Sequence, residues 1–289
     1  MKYEFMHEHR NEFHVARMAK VLEVSESGYY KWEARLQGGP TPLEKAEMRL
    51  GYVILDIFQR SRGSFGSRKV TAELHKRGIP VNHKRVERIM SKYGVFSRTS
   101  RKYIHTTDSS DSESIAENLI KRDFTAEEKD RKMVSDTTAI ATKEGTLYIA
   151  GIIDLYGRMP VGLAMSTRND RWLTIQALKD MLLRGCGKKG CIMHSDRGCT
   201  YASQDYREML EKHDLVCSMS GKGDCWDNAP MESFWGKMKT EWLKPKYGTM
   251  KEAMRDVYEY VWHFYPKERP HESLGYLTPV EVYDQLAVS

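Results

Sequence analysis

The sequence predicts an α/β protein, a mixed five-stranded sheet flanked by helices and preceded by all-α modules. Three observations lead there. Residues 13–93 carry apolar positions at helical spacing; three strand-like runs joined by hairpin turns begin at Met133; and helices then alternate with strands before a last helical region.

In chain order, residues 13–22 read as a helix, and Ser25 is placed to cap a second one, S-E-S-G-Y-Y-K-W. Two short helices about a tight turn suggest a helix-turn-helix over residues 1–36, presenting Ser27, Tyr29, Tyr30 and Lys31 toward a major groove. Residues 37–42, Q-G-G-P-T-P, read as a linker, because Gly and Pro oppose both helix and strand. A second helical module follows over residues 43–105. It has helices near 43–59, 67–76 and 82–93, the turn S-R-G-S-F-G-S-R and a basic tail at 98–105. Arg68, Lys69, Lys84, Arg85 and Arg88 on this module are candidate phosphate contacts. Residues 106–122 read as a polar linker.

The catalytic region is expected over 123–243. Strands at 133–140, 146–154 and 158–166 are joined by K-E-G and L-Y-G turns; a helix at 169–183, a strand at 190–195, a helix at 202–213 and a strand at 215–219 complete the pattern of a ribonuclease-H-like core. A helix opening near Asn228-Ala229-Pro230 follows, with Asn228 as its cap and Pro230 in its first turn. A helical extension, 244–289, contains a periodic helix at 249–265 and a closing helix near 280–286.

Any single acid among 40 Asp and Glu is most often a solvated surface group. Three stand out by context: Asp136 inside a strand-like run, Asp196 ending the apolar run 191–193, and Glu232, with 35 residues between the last two. Three carboxylates suit hard divalent cations, which take oxygen ligands and can flank an in-line phosphoryl displacement.

The motifs H-S-D-R-G, C-S-M-S-G-K-G-D-C-W-D-N-A-P-M-E-S-F and R-P-H-E-S-L-G-Y-L-T-P resemble those of the second-reading-frame protein of the insertion-sequence-three family of bacterial transposases, within the retroviral-integrase superfamily. The resemblance runs over nearly the whole chain. It implies Asp136, Asp196 and Glu232 as catalytic residues and metal ligands, and a basic residue seven positions after the glutamate, Lys239, on DNA. Seven residues is close to two helical turns, which places Glu232 and Lys239 on one face. The resemblance further implies an integrase catalytic core, two Mg²⁺ ions with Mn²⁺ able to substitute, and double-stranded DNA partners, both the element's terminal inverted repeats and the target. It implies a copy-and-paste route, a multimer on paired ends, and fusion to or pairing with a first-frame protein. Three positions depart from the family pattern: Met133, Ala139 and Pro266. The alternative reading is a catalytically inactive protein that binds element ends and regulates or inhibits transposition.

Charge distribution agrees with a polyanion partner. The net charge is +6, but residues 60–102 hold thirteen Lys and Arg against Glu73 and Glu87. Five cysteines without a C-x-x-C pair argue against a disulfide scaffold or a structural zinc, and for a reducing cytoplasm; the resemblance implies a bacterial one, near the nucleoid. No apolar run approaches about 18 residues, so no membrane partner is expected. Among the remaining polar residues, Asp154 reads as structural or accessory, His194 as a hydrogen-bonding neighbour of the site rather than a ligand, and Lys222 in the G-K-G loop as a phosphate contact. Arg269 and His271 read equally as DNA contacts or as groups docking their segment on the core. Trp226, Phe234, Trp235 and Trp242 read as packing.

Overall fold

The computed structural model describes residues 1–98, 116–221 and 225–284. Most of the basic tail at 98–105, residues 106–115 of the linker, Lys222 and the end of the closing helix lie outside the described residues.

Three helices, α1 (Lys2–Glu8), α2 (Val15–Val21) and α3 (Glu26–Gly38), enclose a small core of Met6, Met18, Ala19 and Tyr29. Ser25 caps α3 as its sequence suggests, its Oγ accepting from the Gly28 N–H at 3.0 Å. The helix continues through Gly38, two residues into the stretch expected to be linker. The break falls at Gly39, whose φ of 65° suits a residue without Cβ. Thr41 then opens α4 (Pro42–Arg60) with a reciprocal cap, its Oγ1 accepting from the Glu44 N–H while Glu44 accepts from the Thr41 N–H. Helices α5 (Ser67–Lys76) and α6 (His83–Lys92) pack on α4 through Ile54, Ile57, Val70, Leu74, Val86 and Ile89.

The sheet comprises β1 (Lys132–Thr142), β2 (Gly145–Asp154), β3 (Met159–Ser166), β4 (Ile192–Ser195) and β5 (Val216–Met219), in the order β3-β2-β1-β4-β5. The first three strands are antiparallel and the last two run parallel to β1. This is the mixed five-stranded arrangement expected from the order of runs. One face is covered by α7 (Arg171–Leu183) and α8 (Gln204–Lys212), the other by α9 (Ala229–Lys237) and α10 (Met250–Glu259).

Two helices end differently from their sequence pattern. The one expected over 249–265 is α-helical only to Glu259 and widens over Tyr260–Glu268 into π turns around Pro266, whose missing N–H cannot close an α ladder. Helix α9 likewise widens over Met238–Trp242. A short helix, α11 (Pro279–Asp284), closes the described chain.

The α4–α6 module and the sheet share one hydrophobic cluster. The Phe65 and Phe264 rings lie 5.8 Å apart, the Arg62 guanidinium stacks 3.8 Å over Trp242, and Arg62 pairs with Asp256 at 3.3 Å. Among the described residues no helix is long and apolar enough to cross a membrane.

Candidate active site

The parallel pairing of β1 with β4 sets Ser135 opposite Ser195. Asp136 and Asp196, the next residue on each chain, therefore emerge side by side where β4 ends. On its other edge β1 pairs with β2, and Asp136 faces Gly151. A Cβ at Gly151 would lie 2.7 Å from the Trp235 ring, so the missing side chain is what lets α9 lie close against the sheet. Glu232 occupies the first turn of α9 and so arrives on the same face as Asp136.

Asn228 stands at the N-terminus of α9 but makes no side-chain cap there, contrary to expectation. Its Nδ2 instead donates to the Ser135 carbonyl at 3.1 Å, tying the start of the glutamate helix to the strand of the first aspartate. Pro230 does occupy the first turn. Next to Asn228, buried Asp227 accepts from Asn118 Nδ2 at 2.7 Å, Arg122 Nε at 3.3 Å and the Gly221 N–H at 3.2 Å, joining three separate segments beneath the helix. The roles of Gly151, Asp227 and Asn228 escaped the sequence reading, because each depends on a partner far away in the chain. Only their membership of the D-N-A-P-M-E and A-G-I-I-D runs hinted at them.

All three acids are partly buried. Burial, then the charges of Asp196 and Glu232, hold the Asp136 carboxyl well above the usual carboxylate range. Burial also raises Asp196, against a hydrogen bond from the Gly198 N–H at 3.0 Å. The three side chains thus feel one another across the polypeptide. Among the described residues, no three His, Cys, Asp or Glu side chains are drawn close enough to hold a metal ion as they stand. The donors fit a hard divalent cation by their chemistry: all are carboxylate oxygens, and a cation would relieve the repulsion that raises Asp136.

His194 is buried, pushed down to about 4 by desolvation, and engaged at both nitrogens, Nδ1 with Ser218 Oγ at 2.8 Å and Nε2 with Ser220 Oγ at 3.3 Å. It is a neutral hydrogen-bonding residue that fixes the end of β4 to β5. Asp154 is fully buried and accepts from the Asp130 and Tyr156 N–H groups and from the Tyr283 hydroxyl, a structural arrangement.

The candidate DNA contacts fall into different settings. Lys84, Arg85 and Arg88 are exposed, Arg88 with an ion pair to Glu47 at 3.2 Å. Arg68 is exposed and stands 3.9 Å from Glu272. Lys69 is turned inward to Glu241 at 3.1 Å. Lys239 is partly buried just past the point where α9 widens, so the two-turn arithmetic linking it to Glu232 does not run through regular helix. Arg269 clamps Glu241 with two bonds, at 2.6 and 2.7 Å, and is buried with His271; the R-P-H segment is docked on the core.

Comparison with known proteins agrees with this architecture. Residues 44–103 match the family described as an HTH-like domain, and residues 126–225 and 213–279 match two families described as integrase core domain. An uncharacterised 31 kDa protein of insertion element IS600 from Shigella sonnei is 38% identical over 274 residues, covering 93% of this chain and 100% of that protein. The transposase InsF of insertion sequence IS3A from Escherichia coli strain K12 is 36% identical over 280 residues, covering 96% of this chain and 97% of its own. Among solved structures, the integrase catalytic core domain of HTLV-2 covers 53% of this chain and 96% of its own, at 13% identity and a TM-score of 0.41.

Proposed function

The chain belongs to the insertion-sequence-three family of DNA transposases, and on that premise we propose that it cuts DNA at the ends of its element and joins the freed 3′-hydroxyl to a target strand. The reading rests on one observation above others: the β1–β4 register sets Asp136 and Asp196 side by side, and the first turn of α9 brings Glu232, remote in sequence, to the same face. Asp136, Asp196 and Glu232 would hold two Mg²⁺ ions, with Mn²⁺ as a substitute. Bound there, such a pair supplies activation of the attacking oxygen and stabilisation of the leaving oxygen in an in-line displacement.

In the first step a water oxygen forms a bond to the scissile phosphorus as that water gives up a proton, and the bond to the 3′ oxygen breaks, that oxygen taking up a proton to become the 3′-hydroxyl. In the second that 3′-hydroxyl loses its proton as its oxygen bonds to a target phosphorus, and the displaced 3′ oxygen of the target strand takes up a proton. The number of phosphodiester bonds is conserved in this transfer, so it needs no external energy source. The chain's own part is positioning: the Asn228 tie to β1 and the Trp235–Gly151 contact with β2 fix Glu232 against the sheet, while Lys239 contacts a backbone phosphate. The exposed Lys84, Arg85 and Arg88 contact phosphates of the terminal repeats, in a multimer that pairs two ends. A first-frame protein, fused or associated, completes the working assembly.

The test is cleavage and joining of labelled element-end duplex with Mg²⁺, comparing the wild type with Glu232→Gln. The proposal expects product from the wild type only. Equal activity would remove Glu232 from the chemistry, and end binding without cleavage by either protein would favour a regulator that occupies ends.

A further inference from the structure

The flank of α9 away from the acids carries an unusual concentration of positive charge. Lys237 lies five residues after Glu232, about 140° around the helix, and so faces the seam between the sheet, the α4–α6 module and the R-P-H segment. Arg158, in the β2–β3 turn at a φ of 58°, lies near enough to Lys237 for their charges to oppose each other. Lys69 and Arg269 reach the same seam, where they share one carboxylate, Glu241. Glu272, an exposed residue, is the next acid toward Lys69. Four cations thus surround a single partly buried acid.

Lys69 and Arg269 are satisfied by that acid. Lys237 and Arg158 are not: both are partly buried, and among the described residues neither has an ion-pair or hydrogen-bond partner. Lys237 is accordingly pushed down to about 8, by burial first and then by Arg269, with Lys69 and Arg158 adding to the effect and Glu241 opposing it. Two cations withdrawn from water without a directly paired counter-ion cost stability.

Two orphaned polar atoms lie in the same seam. His271 is 3% exposed, and its ring lies near the Tyr265 carbonyl, but its Nε2 makes no hydrogen bond among the described residues. The Arg269 guanidinium faces its Nδ1 at 3.5 Å, so Nε2 is the ring nitrogen left over. The buried hydroxyl of Tyr260 is likewise without a partner. An unpaired hydroxyl donor beside Lys237 and Arg158 suits an oxyanion.

We propose that Lys237 and Arg158, backed by Lys69, Arg269 and His271, form a binding site for a phosphate oxyanion, filled by a backbone phosphate of DNA that crosses this seam. The site lies on the other flank of α9 from Glu232, and holds the duplex against both the sheet and the helical module at once. It rests on the reading of the chain as a DNA-processing protein. The same chemistry would accept free inorganic phosphate, so the test has two arms.

In the first, the full chain and its Lys237→Gln, Arg158→Gln and Lys237→Arg variants are titrated with fluorescent duplex in EDTA over a range of salt concentrations, using element-end and unrelated sequences. Each glutamine variant is expected to lose about tenfold in affinity on both duplexes and to lower the salt slope by about 1, with Lys237→Arg near wild type. In the second, melting midpoints are measured with and without inorganic phosphate. Glutamine variants that melt at or above the wild-type temperature yet bind duplex more weakly support the site. Unchanged duplex affinity overturns it, whether the variants merely gain stability or lose only a response to free phosphate. Failure of the wild type to bind any duplex would instead sink the functional reading itself.

Discussion

The two flanks of α9 make opposite electrostatic demands. On one, Asp136, Asp196 and Glu232 gather negative charge until Asp136 resists ionisation; on the other, Lys237 and Arg158 gather positive charge until Lys237 resists protonation. Elsewhere the molecule resolves its buried charges internally, as Arg269 with Glu241 and Arg62 with Asp256 show. The difference teaches where folding stops and binding begins. Charges that pair within the chain build it, whereas like charges gathered on either side of one helix are costly to fold and, on the proposals above, would be offset by a cation on one flank and a phosphate on the other.

The sharpest way to break this comparison is to neutralise the acid side. Glu232→Gln should remove about 4 kcal/mol of transition-state stabilisation, about a thousandfold in cleavage rate, with duplex binding retained; single-turnover cleavage alongside a binding titration would show it. Next in size is a change that leaves both charge sets intact but moves the helix between them. Gly151→Ala must displace the Trp235 ring, since the new Cβ would stand 2.7 Å away. It should cost about 1–3 kcal/mol in denaturant unfolding and slow cleavage by about 100-fold through misplacement of Glu232. A variant that cleaves normally would show that the height of α9 above the sheet is unimportant.

A smaller effect sharpens the basic side. Lys237 is held near 8 in the folded chain against 10.5 in its absence, with Arg269, Glu241, Lys69 and Arg158 facing it. Below about 8 both states carry the proton and the folded state bears the full penalty; as pH rises from about 8 toward 10.5 the unfolded chain binds more protons, so stability increases. Lys237→Gln should therefore melt above the wild type at pH 7, and the gap should close as pH rises through this window. A gap that stays constant across that range would mean the lysine carries no such penalty.

How much of this was legible in the sequence depends on the range of the interaction. The strands, their turns, the helices between them and the sheet class follow from alternation and turn residues, which are local. Asp136 and Asp196 were visible because one sits inside a strand-like run and the other ends an apolar one, and Glu232 through its motif and its interval from Asp196. The seam was not, because Lys69, Arg158, Lys237 and Arg269 come from four separate elements, and each alone is an ordinary cation. The same reason hid the attachment of the second helical module. Its basic residues suggested a separate unit, but Phe65 and Arg62 join it to Phe264 and Trp242, about two hundred residues away. The widening of α10 at Tyr260 also escaped a periodicity argument, since apolar spacing does not register a change of helical pitch.

The account stands most directly on whether the three acids act together on a cation. Direct titration of the full chain with Mn²⁺, followed by electron paramagnetic resonance of the free ion, should show binding in the wild type and at least about tenfold weaker binding in each of Asp136→Asn, Asp196→Asn and Glu232→Gln. Binding of Mn²⁺ that is indifferent to all three substitutions would contradict it.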